Sequence, residues 1–67
     1  MAVARVTKLT VSSSKSWQDA VQAGVKRANK TLRNLTGLEV ISQKAKIEGG
    51  KITEYRVTME ITFILEG

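Results

Sequence analysis

The sequence contains no cysteine and no histidine. Without cysteine there is no disulfide framework and no thiol nucleophile, and without either residue type the usual sulfur and nitrogen ligands of zinc are missing. The lack of histidine also excludes an imidazole as general base. Because the absence of cysteine fits a reducing compartment, we expect a cytoplasmic protein.

Long apolar runs and aromatic residues are also scarce. No run approaches the roughly 18 apolar residues of a membrane span, and the N-terminus lacks the apolar core of a signal peptide, so we expect no membrane partner. The aromatic residues are Trp17, Tyr55 and Phe63. The formal net charge of +5 would favour nucleic acid, but single strands stack on exposed aromatic rings, and two of these three rings share an apolar strand face. We therefore predict no specific nucleic-acid partner.

The length of the chain limits its core. Its 67 residues allow one domain, and we predict a single domain over 1–67. A chain this short buries only about 60% of its unfolded surface, and without disulfides or metals it often depends on oligomerisation.

The segment "KITEYRVTMEITFIL" (Lys51–Leu65) alternates between apolar and polar residues. Since successive side chains of a strand point to opposite faces, the segment predicts a strand with one apolar and one polar face. The apolar parity holds Tyr55, Val57, Met59, Ile61, Phe63 and Leu65. The polar parity holds Glu54, Arg56, Thr58, Glu60 and Thr62.

The first half of the chain predicts a strand and then a helix. "AVARVTKLTV" is rich in Val and Thr and predicts a strand from about Ala2 to Val11. "SSSKSWQD" follows and is a helix-start signal. Ser13 or Ser14 can cap the helix, and Ser16 with Asp19 also has capping-box spacing.

Apolar and small residues then recur at steps of four and three, which predicts an amphipathic helix to about Asn34. These residues are Trp17, Val21, Gly24, Ala28, Leu32 and Leu35. Gly24 lowers helix propensity and therefore indicates close packing against a neighbour. Gly37 lies where a glycine often follows the end of a helix. The position of Trp17 on the apolar stripe indicates a structural role.

A hairpin is predicted where "EGGK" separates "LEVISQKAKI" (Leu38–Ile47) from the last strand, because Gly-Gly suits a two-residue turn. If Glu48 faces Lys51, the register of the two strands follows. The apolar face then pairs Tyr55 with Lys44, Val57 with Ser42, Met59 with Val40, Ile61 with Leu38, and Phe63 with Thr36. The polar face pairs Arg56 with Gln43, Thr58 with Ile41, Glu60 with Glu39, and Thr62 with Gly37.

This order of elements, strand–helix–strand–strand, predicts an α+β fold in which one helix covers one face of a small antiparallel sheet. Nothing in the chain remains to cover the other face. On that face Glu39 and Glu60 form a like-charge pair, which is destabilising unless a nearby cation neutralises it. Nearby Arg5, Lys8 or Arg56, a bound cation, or an inter-subunit salt bridge could supply the positive charge.

Several motifs together resemble the dodecin family along nearly the whole chain. They are the serine-led "SWQDA", the helix end "RANKTLRNL", the "EV" that opens the second strand, and "EYRV" with "ITFILE" in the third strand. The resemblance implies a β-α-β-β protomer whose three-stranded antiparallel sheet wraps around one helix. It also implies twelve protomers in a hollow shell that stores or buffers flavin and is not an enzyme.

The resemblance carries over to individual residues with substitutions. In flavin-binding dodecins a tryptophan in the context W-x-E-V stacks on the flavin ring, and here Gly37 takes that position. A glutamine that contacts the ring in those members is replaced by Arg56. Two arginines that hold phosphate-bearing ligands in bacterial members correspond to Lys44 and Ile64.

These positions give the predicted site. We predict weak binding of FMN or riboflavin, because the stacking tryptophan is missing. The predicted cofactor-binding residues are Gly37, Gln43, Lys44, Arg56 and Thr58. The alternative is a shell that has lost flavin and binds another small anion, or a divalent cation through Glu39 and Glu60.

Overall fold

The computed structural model describes residues 3–65 as a β-α-β-β chain, which confirms the predicted α+β fold. Its elements are β1 (Val3–Ser13), α1 (Trp17–Thr31), β2 (Leu35–Glu48) and β3 (Lys51–Leu65). The three strands form one antiparallel sheet in the order β1-β3-β2. The bounds of β3 are those predicted, whereas Ala2, the predicted start of β1, lies outside the described residues.

The central position of β3 explains its regular alternation. A strand with neighbours on both sides and a helix on one face must present one apolar side along its whole paired length. Val57, Met59 and Ile61 are at most 1% exposed and form the centre of the core with two alanines of α1. Flanking apolar residues of β1, α1 and β2 are half-buried against them.

The start of α1 is fixed by Ser16. Its backbone is extended, with φ −169°, and its hydroxyl oxygen accepts a hydrogen bond of 2.9 Å from the backbone N–H of Asp19. Ser13 does not cap the helix but donates to the Asp19 carboxylate at 2.7 Å. Of the three predicted candidates, Ser16 is therefore the cap, and Ser13 holds the first-turn acid in place.

The end of α1 differs from the prediction. The helix ends at Thr31, where the Leu32 N–H donates to the carbonyl of Ala28 at 2.9 Å, and Asn34 then adopts φ 60°. This left-handed residue redirects the chain into β2, and Gly37 consequently lies inside β2 rather than just after the helix. With 15 residues, α1 is too short to cross a membrane, and residues 3–65 contain no helix that could.

Small residues let α1 lie close to the sheet. Ala20, Gly24 and Ala28, four residues apart, are the buried residues of the helix. A Cβ added to Gly24 would lie 2.7 Å from Cε of Met59 and 3.0 Å from Cγ2 of Val11. The predicted close packing at Gly24 is therefore confirmed, since any side chain there would have to displace its neighbours.

The hairpin forms as predicted. Gly49 and Gly50 have φ of 58° and 79°, the positive values that a two-residue turn of this kind requires, and Glu48 pairs with Lys51. Several predicted pairs further along the ladder are also correct: Val40–Met59, Glu39–Glu60, Leu38–Ile61 and Gly37–Thr62.

The middle of the ladder is shifted by one residue from the predicted register. Lys44 pairs with Arg56, Gln43 with Val57, and Ser42 with Thr58. Lys44 and Ser42 therefore lie on the polar face, and Gln43 lies on the helix side, the reverse of the prediction. The pairing of Tyr55 with Lys44 and of Thr58 with Ile41 was wrong for the same reason.

Compensating bulges cause this shift. Ile41 is an extra residue in β2 between Val40 and Ser42, and Thr53 is an extra residue in β3. One insertion on each strand cancels the other, so the predicted register is correct on both sides of the shifted segment. A third irregularity after Leu35 pairs that residue, rather than Thr36, with Phe63.

The protomer leaves much of its sheet uncovered. Helix α1 packs against β1 and β3, so Leu38 and Val40, which lie on the helix side of β2, remain 41% and 37% exposed. The radius of gyration is 13.9 Å, whereas a compact chain of this length is expected near 11 Å. One protomer alone therefore does not bury the apolar surface that its strands carry.

Candidate functional site

The candidate site lies on the side of the sheet opposite α1, which we call the open face. As predicted, it carries the polar parity of β3, Glu54 to Thr62. From Arg56 to Thr62 each of these residues has partners in β1 and β2, so this part of the face consists of rows that cross all three strands, whereas Glu54 pairs with Lys46 of β2. The rows are Ser12–Arg56–Lys44, Thr10–Thr58–Ser42, Lys8–Glu60–Glu39 and Val6–Thr62–Gly37.

The first row brings two cations together. Lys44 and Arg56 are directly opposed across the β2–β3 ladder. This arrangement of like charges is destabilising unless a nearby negative charge neutralises it. Lys46 follows on the same face, opposite Glu54. A surface hollow of about 350 Å³ lies at this end of the sheet. It is lined by Lys44, Ala45, Lys46, Glu54 and Arg56.

Glu54 forms the ion pair that neutralises Arg56. Its Oε1 accepts hydrogen bonds from Nη2 and Nε of Arg56, at 2.7 and 3.2 Å, and from the Ser12 hydroxyl at 2.9 Å. One carboxylate oxygen thus joins β1 to β3. Within residues 3–65, Lys44 has no carboxylate oxygen within 4.0 Å of its ammonium group, so the ion pair neutralises only one of the two opposed cations.

These contacts also keep Glu54 ionised. The hydrogen bonds from Arg56 and then from Ser12 lower the pKa of the Glu54 carboxyl, and the positive charges of Arg56 and Lys46 lower it further. A hydrogen bond to the charged form of a carboxyl group stabilises that form. The site therefore holds a fixed negative charge beside its cations.

The next row consists of neutral hydroxyl groups. Oγ1 of Thr58 and Oγ1 of Thr10 are 3.0 Å apart and hydrogen-bonded, and Ser42 is the β2 partner of Thr58. Gln43, predicted beside Thr58 and Arg56, instead pairs with Val57 on the helix side. Among the predicted cofactor-binding residues, the open face thus brings Arg56, Lys44 and Thr58 together and leaves Gln43 out.

The acidic row contains the predicted pair of Glu39 and Glu60. Lys8 of β1 lies opposite Glu60, so one of the three cations proposed to neutralise the pair is in the same row. Within residues 3–65 there is no group of three or more acidic, histidine or cysteine side chains that could hold a metal ion. Since calcium takes six to eight oxygen ligands, these two carboxylates alone do not form a calcium site in one protomer.

Gly37 lies at the far end of the open face, opposite Thr62. A Cβ at this position would meet no atom within 4 Å, so the residue stands in open space and offers no ring on which a ligand could stack. A hollow of about 320 Å³ on the helix side of the sheet also reaches Gly37. Its lining residues are Val25, Leu35, Gly37, Leu38 and Ile61.

Gly37 and Arg56 share the open face, as the predicted register had them, but they are far apart. Their rows are six residue steps apart along β3, from Arg56 to Thr62. At about 3.3 Å per residue this separation is roughly 20 Å. A single protomer therefore does not present both residues to the same end of a small ligand.

Sequence reasoning did not include two residues that shape the site, Glu54 and Ser12. The contact of Glu54 with Arg56 could have been predicted, because Glu54 lies two residues before Arg56 on the same strand face. Ser12 was not, because its contact depends on the pairing of β1 with β3, for which the sequence of β1 gives only a weak alternation.

Trp17 contacts the site residues from the helix side of the sheet. Its indole N–H donates to the backbone carbonyl of Lys44 at 2.9 Å, and its ring meets that of Tyr55 edge-on with centroids 4.9 Å apart. The ring is half-buried against the core, which confirms its predicted structural role. Trp17 thus ties the start of α1 to the part of β2 that carries Lys44.

Comparison with known proteins identifies the class to which this fold and face belong. A family model described as Dodecin matches residues 3–66. The dodecin of Thermus thermophilus is 36% identical over 64 residues, which cover 96% of this chain and 93% of the relative. These matches define a small β-α-β-β protein of a class that assembles as dodecamers and binds flavins.

Solved structures agree. An arginine-to-alanine mutant of the T. thermophilus dodecin superposes with a TM-score of 0.94 at 34% identity, covering 100% of both chains. The dodecin of Streptomyces coelicolor has a TM-score of 0.92 at 33% identity, covering 98% of this chain and 94% of that one. The chain belongs to the dodecin family.

Another solved structure is that of a dodecin described as binding calcium. The calcium dodecin of Mycobacterium tuberculosis, described as calcium-chelating with a novel calcium-binding site, has a TM-score of 0.81 at 29% identity. The match covers 96% of this chain and 91% of that one.

Proposed function

We propose that this chain forms a closed homododecameric shell that stores or buffers FMN or riboflavin without catalysing a reaction. The observation that carries the proposal is the position of Gly37 and Arg56. These two residues match the flavin-contacting positions of the family, and both lie on the face that the protomer leaves uncovered. The flavin is bound more weakly than in members that carry the stacking tryptophan.

The protomer's incomplete burial supports the shell. Its fully buried apolar side chains are few, while Leu38 and Val40 stay exposed beside the helix. Closed symmetric assembly lets identical surfaces cover one another. The separation of roughly 20 Å between Gly37 and Arg56 fits a site built by two protomers, in which Gly37 of one copy and Arg56 of another approach the same ligand.

The ring end of the flavin is the weak end of this site. Aromatic stacking contributes about 0.5 to 1.5 kcal/mol beyond buried area, and Gly37 contributes none. Where two symmetry-related copies face each other, the loss occurs twice.

The site offers stronger contacts to the phosphate of FMN than to the flavin ring. Lys44 and Arg56 are opposed on the open face, and ionised donors form strong hydrogen bonds with phosphate. Lys44 supplies a point charge in place of the arginine fork found in bacterial members. FMN, which carries a phosphate, is therefore favoured over riboflavin, which does not.

Titration with riboflavin and FMN, followed by quenching of flavin fluorescence, tests this function. Gly37→Trp should bind both flavins roughly twofold to 150-fold more tightly than wild type, the range that one or two restored stacking contacts give. A Cβ at Gly37 meets no atom within 4 Å, so a side chain can start there without a clash, and Gly37→Leu is the matched control for added bulk without a ring. Equal riboflavin affinity in wild type and Gly37→Trp contradicts the proposed site.

The second candidate is a shell that binds a divalent cation or another small anion instead of flavin. The opposition of Glu39 and Glu60 favours a cation, and one relative is described as calcium-chelating. Two protomers would have to combine their carboxylates to reach the coordination number of calcium. Calorimetric titration with calcium, beside Glu60→Gln, tests this candidate; binding in wild type that Glu60→Gln abolishes, without any flavin binding, would favour it.

A further inference from the structure

Arg56 is engaged before any ligand arrives. Its guanidinium donates twice to Oε1 of Glu54, and the Ser12 hydroxyl donates to the same oxygen. The side chain of Arg56 is nevertheless 53% exposed, whereas that of Glu54 is 30% exposed. A ligand can therefore reach the guanidinium from solvent, while the carboxylate that holds it is more shielded.

Besides Glu54, the charged residues of 3–65 that the sheet register places next to Arg56 are cationic. Lys44 faces it from β2, Lys46 lies in the next row, and β1 contributes the uncharged Ser12. Lys46 is only loosely paired, with its Nζ 4.0 Å from Oε1 of Glu48. Among these side chains, Glu54 is the one negative charge in direct contact with Arg56.

We propose that Glu54 is a specificity-determining residue, an internal anion that competes with the phosphate of a ligand for Arg56. A phosphate monoester approaching Lys44 meets a guanidinium whose positive charge Glu54 already offsets and whose Nε and Nη2 donors are engaged. Glu54 thereby lowers the affinity for FMN, which carries a phosphate, and leaves the affinity for riboflavin unchanged. The choice of flavin as probe rests on the function proposed above.

The glutamine variant isolates the charge. In Glu54→Gln the side-chain oxygen can still accept hydrogen bonds from Ser12 and Arg56, but its negative charge is gone. The positive charge of the guanidinium is then no longer offset, which strengthens the charge-assisted hydrogen bonds that it can make with phosphate. Exposed ion pairs are weak, so the expected gain in FMN affinity is about two- to fivefold.

A matched control removes the same charge nearby. Glu48 lies on the same hairpin and contacts Lys46 and Thr53, but not Arg56. If the proposal holds, Glu54→Gln binds FMN more tightly, Glu48→Gln does not, and riboflavin affinity changes in neither. Equal gains in the two variants, a matching change for riboflavin, or no gain at all would overturn it.

Inorganic phosphate separates this proposal from the flavin function. Phosphate binding can be followed through Trp17 fluorescence, because the indole N–H is hydrogen-bonded to the backbone carbonyl of Lys44. If no variant binds any flavin, the proposed function fails. The role of Glu54 would then stand if Glu54→Gln binds phosphate more tightly than wild type and Glu48→Gln, and would fall if it does not.

Discussion

The two faces of β3 have opposite characters within one strand. Val57, Met59 and Ile61 point towards α1 and are at most 1% exposed, while Arg56, Thr58 and Glu60, which alternate with them, line the open face. On β3 the helix-facing side chains are buried within the protomer, and those on the open side are not. Adjacent residues therefore serve different purposes: one set holds the fold together, and the other is available to ligands and other subunits.

The largest expected effect comes from Met59→Ala. Removing this fully buried side chain should lower the free energy of unfolding by about 2–5 kcal/mol. Thr58→Ala, on the other face of the same strand, should cost about 1 kcal/mol for its hydrogen bond to Thr10. Denaturant unfolding at a fixed protomer concentration measures both, and similar losses would remove the distinction between the faces.

Two glycines sharpen the comparison. Gly24→Val should destabilise by about 1–3 kcal/mol, because its side chain would enter the space of Met59 and Val11. A Cβ at Gly37 meets no atom within 4 Å, so Gly37→Val should leave the free energy of unfolding unchanged or raise it. Thermal unfolding of both variants checks this, and a stable Gly24→Val would contradict the packing of α1.

A smaller effect is expected where Trp17 connects α1 to the site. Trp17→Phe keeps a ring beside Tyr55 but loses the hydrogen bond to the Lys44 carbonyl, which should cost about 1 kcal/mol. Trp17→Leu should cost a further 0.5 to 1.5 kcal/mol, roughly, because the ring contact is lost too. If Trp17→Phe unfolds at the same denaturant concentration as wild type, the hydrogen bond does not stabilise the fold.

The smallest effect concerns pH. The pKa of Glu54 is lowered from its ordinary value of 4.5, so the ionised carboxylate contributes stability that is present above that value. This contribution is lost as the pH falls through the lower folded-state pKa. Below about pH 4.5, wild type should therefore lose slightly more stability than Glu54→Gln, as denaturant unfolding at several pH values can show. Parallel pH profiles would contradict the sign.

The fold was predictable where one local signal dominated. The alternation of β3 gave its bounds, and Gly49-Gly50 gave the turn and the pairs next to it. The end of α1 was missed because Leu32 and Leu35 continue the apolar period after the chain has left the helix. Their burial follows from tertiary packing, which an apolar period cannot distinguish from a longer helix.

The site was predictable only in part, because a side chain's face depends on every insertion before it. The bulges at Thr53 and Ile41 have no signal in the sequence, and the shifted segment between them places Lys44 on the open face and Gln43 off it. A shift of one residue reverses the face of every side chain in the shifted segment. Glu39 and Gly37, beyond the compensating bulges, kept their predicted partners.

Sedimentation of the wild-type protein at micromolar concentration tests the central claim most directly, namely that other copies of this chain complete the uncovered sheet. With a protomer mass of 7.4 kDa, a dodecamer has a mass of about 89 kDa. We expect a single species of that mass. A monomer or dimer would contradict the account, because the open face would then be an ordinary solvent-exposed surface.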